Sequence, residues 1–181
     1  MSEFFFMRHG QSQANVDGVL ADQFSPLTEK GIDQARMAGQ KLLRESITKI
    51  VCSPFLRTRQ TAETVARELG IDPTSIETIG ALRERNFGKL INQPKIHPTE
   101  WYIHADAPTV EPAQVVLDRM THCLHILEKE AEGETLLVIG HAMSGFYLEQ
   151  AALGKTTLAS FDALPNLDNA EVVHITLPPL S

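Results

Sequence analysis

The sequence predicts an α/β fold: a three-layer αβα sandwich around a mostly parallel central sheet, with a short lid or cap insertion. Three observations carry this. Short apolar runs of strand length alternate with stretches whose apolar residues recur at helical spacing. Such alternation implies right-handed crossovers and helices on both faces of a parallel sheet. The 181 residues, 43% apolar and 22% charged, match the globular average and suffice for one domain over residues 1–181.

Taken in order, Glu3 to Met7 (EFFFM) reads as a first strand. Between Thr28 and Leu43, Ile32, Ala35, Gly39 and Leu42 recur at helical spacing. Lys49 to Cys52 is a second strand, and Ala62, Val65, Ala66 and Leu69 mark a helix with Gly70 at the position that ends helices. Ile76 to Ile79 reads as a third strand. Residues 86–112 then depart from the alternation. Pro94, Pro98, Pro108 and Pro112 punctuate that stretch, which holds the single Trp (Trp101) and Tyr102, and it reads as a lid or cap insertion or, equally, as a satellite cluster covering one end of the sheet. Val116, Met120, Cys123 and Leu127 form a helix that stops before Gly133. Thr135 to Ile139 is a buried strand, followed by a helix through Phe146 to Leu153 that ends at Gly154. Val173, Ile175 and Leu177 alternate, as on a half-exposed edge strand.

Composition narrows the function classes. Sixteen Lys plus Arg against 23 Asp plus Glu leave a net charge of −7, which argues against a nucleic-acid or anionic-membrane partner. Two cysteines, Cys52 and Cys123, without a C-x-x-C motif, read as buried unpaired thiols in a reducing compartment. The Phe4-Phe5-Phe6-Met7 run is too short for a secretory signal, and no apolar stretch reaches membrane-span length, so a cytoplasmic location is expected. Oligomeric state has no signature.

The residues that follow the strands carry the chemistry. Arg8-His9-Gly10 follows the first, Ser53-Pro54-Phe55-Leu56-Arg57 the second, Leu82-Arg83-Glu84 the third and Gly140-His141 the fourth. Ligands bind outside the carboxyl ends of strands in open α/β sheets, so two Arg, two His and a Glu converge on one edge. Guanidiniums match phosphoryl oxygens with planar forks. A neutral imidazole is a nucleophile near pH 7, and a carboxylic acid can protonate a leaving alkoxide. The set describes a phosphoryl-transfer site without a metal or other cofactor.

MRHGQSQAN (Met7 to Asn15), SPFLRTRQTAE (Ser53 to Glu63), LRERNFG (Leu82 to Gly88) and VIGHA (Val138 to Ala142) resemble, in order, the four signatures of the histidine phosphatase superfamily, with its phosphoglycerate mutase-like fold. SPLTEKGIDQA (Ser25 to Ala35) resembles the start of that family's first helix. The resemblance implies that His9 is the nucleophile and becomes a phosphohistidine. It implies that Arg8, Arg57 and His141 hold the phosphoryl oxygens, with help from Asn15, Ser12 and the Ala142 backbone N–H. Glu84 is then the acid for the leaving group and the base for water. Two positions depart from the family pattern: Gln11 replaces a common Glu, and Lys89-Leu90-Ile91-Asn92 replaces a Trp-Glu-Gly-like continuation.

Competing chemistries fail on spacing. Cys123 has Lys129 where a Cys-based phosphatase needs Arg, and Ser144 lacks the flanking glycines of a serine-hydrolase elbow. His122 and His125 lie three apart on a helix without an H-E-x-x-H or comparable carboxylate cluster and read as solvated side chains, not metal ligands. Within the resemblance, hydrolysis of a small phosphomonoester is expected. Phosphoglycerate mutase-type transfer and phosphohistidine-protein dephosphorylation are the alternatives, and an inert binding module on the same fold is the non-enzyme reading. A mutase needs extra lid cations, and here the lid has no adjacent arginine pair.

Overall fold

The computed structural model describes residues 3–97, 107–157 and 167–176. Pro98, Trp101, Tyr102, His104 and Leu177 lie outside them, so the expected aromatic part of the lid and the end of the edge-strand pattern do too.

A five-stranded sheet forms the centre, in the order β3-β2-β4-β1-β5. Its strands are β1 (Glu3–Arg8), β2 (Lys49–Cys52), β3 (Glu77–Thr78), β4 (Leu136–Gly140) and β5 (Val172–Thr176). β4 lies parallel between β1 and β2, β3 pairs parallel with β2, and β5 closes the other edge antiparallel to β1. Among the described residues the helices are α1 (Gln13–Val16), α2 (Glu29–Leu42), α3 (Leu56–Leu69), α4 (Ala113–Glu130) and α5 (Ala142–Ala152). α1 is a single turn that periodicity could not reveal, and the expected third strand shrinks to two residues flanked by short 3₁₀ turns at Pro73–Ser75 and Gly80–Leu82.

Side-chain alternation along β1 builds the two outer layers. Phe4 and Phe6 point to a core shared with Val116, Met120 and Leu127 of α4 and with Phe146 and Leu148 of α5. Met7 points the other way, with Ile50, Cys52 and Ile139, to Ala35 and Leu42 of α2 and Ala62 and Val65 of α3. Each fully buried Phe or Leu contributes about 1.5–3 kcal/mol. β4 is buried at all five positions because both layers cover it. Cys52 and Cys123 are free and buried, and burial pushes each thiol up to about 12, so neither is a reactive thiolate near neutrality. His122 and His125 are exposed on α4. Among the described residues, no helix is long and apolar enough to cross a membrane.

The helix ends follow their chemistry. Thr28 caps α2, its hydroxyl accepting from the Gly31 N–H at 3.0 Å, a contact worth about 1 kcal/mol. Gly70 ends α3 in the left-handed region (φ 71°), as its position in the sequence predicts. Chain leaving β1 turns to the α2 face, whereas chain leaving the adjacent β4 turns to the α5 face. That divergence opens a crevice at the carboxyl ends of β1 and β4.

Candidate active site

The strand ladders continue one residue past the strands. The His9 N–H donates to the Gly140 carbonyl at 3.0 Å, and the Ser53 N–H to the Ile139 carbonyl at 3.0 Å. Residues following β1 and β2 are thereby fixed against β4. Close approach of the first loop to α2 depends on two facing glycines: a Cβ on Gly10 would lie 2.3 Å from the Gly31 carbonyl, and one on Gly31 would lie 2.0 Å from that of Gln11. Gln11 in turn accepts from the Thr28 hydroxyl at 3.0 Å, so the neutral amide at this position ties the loop to the α2 cap.

Arg8, His9, Asn15, Arg57, Glu84 and Ala142 line one cavity of about 370 Å³. The His9 imidazole is buried, and Nδ1 lies 2.7 Å from the Gly10 carbonyl, to which it donates. This fixes the tautomer and leaves the Nε2 lone pair available, where Arg57 Nε–H donates at 3.2 Å. Burial, and after it the guanidiniums of Arg57 and Arg8, hold His9 well below the usual histidine range. The imidazole is therefore neutral at pH 7.

Arg57 enters from the first turn of α3 and is 2% exposed, with Nη1 donating to the Asp22 carbonyl at 2.6 Å. Burial lowers it to about 10, so it keeps its charge at neutral pH. His141 lies beneath, its ring centroid 5.3 Å from that of His9. Its Nε2 is 2.8 Å from Ser53 Oγ. Its Nδ1 is buried and without a hydrogen-bond partner among the described residues, as is Arg8 Nε. Burial and the nearby Arg57 hold His141 neutral as well. The orphaned His141 Nδ1 beside the two desolvated guanidiniums of Arg8 and Arg57, the first with its own Nε unpartnered, makes a cup suited to a tetrahedral oxyanion.

Asn15 is oriented from behind. Its Oδ1 accepts from the Ser12 N–H and hydroxyl, each at 3.0 Å, and from Asn169 Nδ2 at 3.3 Å. With three donors on the oxygen, the amide NH₂ is the end left for the cavity. Ser12 itself is fully buried behind Asn15 and does not line the cavity; His141 is fully buried as well and lies behind the lining, its ring against that of His9. Glu84 reaches the N-terminus of α5, where Oε1 accepts from Ser144 N at 3.0 Å and Oε2 from Met143 N at 3.2 Å.

Several contributors carry no sequence signal of their own. Asn169 donates to the His9 carbonyl at 3.1 Å, and the Ala170 N–H reaches the Arg8 carbonyl at 3.1 Å. The segment before β5 thus clasps the nucleophile loop from 160 residues downstream. Among the described residues, Leu20, Ala21, Phe87, Lys95, His97, Met143 and Leu167 form the rest of the wall. Lys95 is placed by backbone pairing of Leu20 with Gln93 and of Gly18 with Lys95. Thr61, which accepts from the Gly10 N–H at 3.1 Å, stands inside the SPFLRTRQTAE motif, which is its signal in the sequence.

A family model described as histidine phosphatase superfamily (branch 1) matches residues 4–179. Among curated proteins, the chain is 29% identical over 163 residues to a probable phosphoglycerate mutase GpmB of Citrobacter koseri, covering 85% of this chain and 76% of that protein. It is 38% identical over 99 residues to the probable phosphoglycerate mutase GpmB of Photorhabdus laumondii, covering 51% of this chain and 46% of that protein. In that match the chain spans just under half of its relative's length. Among solved structures, Bacillus stearothermophilus YhfR superposes with a TM-score of 0.83 at 24% identity, over 99% of this chain and 93% of that one. A mycobacterial glucosyl-3-phosphoglycerate phosphatase solved with VO3 gives 0.81 at 22% identity, over 97% and 91%. A putative alpha-ribazole-5'-P phosphatase of Escherichia coli gives 0.70 at 25% identity, over 84% and 80%.

Proposed function

The chain belongs to branch 1 of the histidine phosphatase superfamily, and on that premise we propose that it hydrolyses small phosphomonoesters through a phosphohistidine, without a metal. The observation that carries the reading is His9 Nε2, unprotonated and 3.2 Å from Arg57 Nε, facing a cavity shared with Arg8, Asn15 and Glu84. The Arg57 N–H that rests on the lone pair turns to a phosphoryl oxygen when substrate fills the cup. His9 Nε2 then attacks phosphorus and the ester P–O bond breaks. Glu84 gives its proton to the departing alkoxide. Water next attacks the phosphohistidine, giving a proton to Glu84 as the P–N bond breaks, and inorganic phosphate leaves with the enzyme restored. Arg8, Arg57 and the unpartnered His141 Nδ1 meet the charge that builds on the equatorial oxygens.

Phosphoryl transfer of the mutase type is the second reading, because curated relatives bear that name. Hydrolysis has the better support from the chain. Between Glu84 and Arg119 the sequence holds only three cations, Arg85, Lys89 and Lys95, none adjacent to another. Arg85 Nε is committed to the Glu111 carbonyl at 2.8 Å. In this reading residues 86–112 form the lid of a single domain.

The test is a substrate panel that includes 3-phosphoglycerate, with phosphate and 2-phosphoglycerate followed separately. Phosphate release without isomerisation, lost in His9→Ala and unaffected by a chelator, is the expected result. Enzyme labelled from a phosphate donor should lose its label in acid and keep it in base, and the reverse pattern would exclude a phosphoramidate. Accumulation of 2-phosphoglycerate would establish the mutase.

A further inference from the structure

We infer that Glu111 and Arg119 are positioning residues for Glu84, holding the peptide that carries it at a fixed distance from the phosphoryl cup. This rests on the reading of Glu84 as the proton donor. Glu111 stands just before α4, its side chain 8% exposed, and Arg119 lies two turns into that helix with its side chain 10% exposed. The pair is bidentate. Glu111 Oε1 accepts from Arg119 Nε at 3.1 Å and Oε2 from Arg119 Nη2 at 3.0 Å. A planar fork in that geometry tolerates little rotation. Arg83 adds a third contact, Nη2 to Oε1 at 3.0 Å, from a more exposed side chain.

What this pair grips is the peptide on both sides of Glu84. Arg119 Nη1 donates to the Ala81 carbonyl at 2.6 Å and to the Arg83 carbonyl at 2.9 Å. The Asn86 N–H donates to Glu111 Oε2 at 3.0 Å, and the Glu111 N–H returns a bond to the Asn86 carbonyl at 2.7 Å. Arg85 Nε closes on the Glu111 carbonyl at 2.8 Å. Residues 81, 83 and 86 are therefore hooked to the side chains of one ion pair and Arg85 to the Glu111 backbone, while the Glu84 carboxylate points away to the N-terminus of α5. The turn bridges two helices, with its base on α4 and its tip on α5.

None of Arg83, Glu111 and Arg119 lines the cavity, so none of them is a substrate contact among the described residues. Their effect on the reaction passes through Glu84. Proton transfer needs heavy atoms within hydrogen-bond reach, so a small pivot of this turn costs rate in the step that uses Glu84 and leaves the anion cup intact. The same contacts pinch together the two ends of the 86–112 segment, so that segment and the proton donor share one anchor.

The experiment compares full-length wild type, Glu84→Gln, Glu111→Gln and Arg119→Lys on two substrates. One is p-nitrophenyl phosphate, whose leaving group needs little protonation, and the other is glycerol phosphate, whose alkoxide needs it. Orthovanadate inhibition reads the cup independently. In Glu111→Gln and Arg119→Lys, kcat on glycerol phosphate should fall about tenfold further than on p-nitrophenyl phosphate. KM and the vanadate inhibition constant should stay within about twofold. Adding Glu111→Gln to Glu84→Gln should add no further selective loss. Equal losses on both substrates, or vanadate binding that weakens in step, would make the pair merely structural and overturn the inference. Where Glu111→Gln does not fold, Arg119→Lys, which keeps its charge but loses the fork, decides the matter. Selectivity present in Glu84→Gln but absent from both clamp variants overturns the clamp alone. Its absence from Glu84→Gln overturns the role of Glu84 and the clamp with it.

Discussion

The cup and its rim are built in opposite ways. The cup is anchored at strand ends: Arg8 ends β1, His9 and His141 directly follow β1 and β4, and the ladders of β1 and β2 with β4 run one bond beyond the strands to hold His9 and Ser53. Rim residues such as Leu20, Phe87 and Lys95 sit on segments without regular structure, joined by a few backbone bonds and a small apolar cluster of Leu20, Phe87 and Val110. The contrast separates two demands. Phosphoryl chemistry requires charge fixed in advance, because reorganising dipoles during the reaction costs rate. Discrimination among leaving groups requires a wall that can vary without disturbing that charge.

If the cup is rigid and specific in this sense, changes there should reduce kcat and changes on the rim should move KM. The largest effect is expected from Arg57→Lys. Lysine cannot both meet His9 Nε2 and hold the Asp22 carbonyl, so kcat should drop about 10²–10³-fold, as for removal of one preorganised donor. Steady-state kinetics with CD as a folding control would check it, and a change confined to KM would break the comparison. Gly31→Ala tests the same rigidity from outside. Its Cβ would meet the Gln11 carbonyl at 2.0 Å and push the His9 loop away. A displacement near 1 Å is worth roughly 10²-fold in rate.

The pH dependence sharpens the point. His9 and His141 are held below their ordinary value, by burial first and then by the guanidiniums. The unfolded chain protonates them near pH 6.5, so unfolding takes up protons as the pH falls below that value. Stability from this pair is fully present above about pH 6.5 and is lost on acidification toward the depressed folded values. Tm measured from pH 8 to 5 should fall, and fall less in His9→Asn. The acid limb that His9 imposes on kcat/KM, which reports the free enzyme, should also lie below the ordinary histidine range, since His9 attacks only when unprotonated. An acid limb above it would contradict the buried, neutral nucleophile. The smallest effect belongs to Lys95→Ala at the mouth, where a few-fold rise in KM with kcat nearly unchanged is expected.

The α/β class, the parallel sheet with helices on both faces, and the convergence of Arg8, His9, Arg57, Glu84 and His141 could all be read from the chain. Hydrophobic periodicity is a local property, and the motif residues lie within a few positions of strands that periodicity locates. Ser12 shows the limit: its motif says that it matters, yet only packing shows that it orients Asn15 from behind. Asn169, Leu167 and the Glu111–Arg119 clamp were invisible as parts of the site, because each acts on a partner distant in sequence with no periodic pattern to announce it.

The sequence by itself determined which segments are strands, which helical faces are apolar and which chemical groups stand at the strand ends. Only the tertiary structure decided the strand order β3-β2-β4-β1-β5, and with it the adjacency of β1 and β4 that brings the two imidazoles to 5.3 Å. It also decided which backbone and side-chain donors lock each catalytic group in place. The physical reason is that burial pattern is written along the chain, whereas pairing and desolvation belong to contacts between segments that only folding brings together.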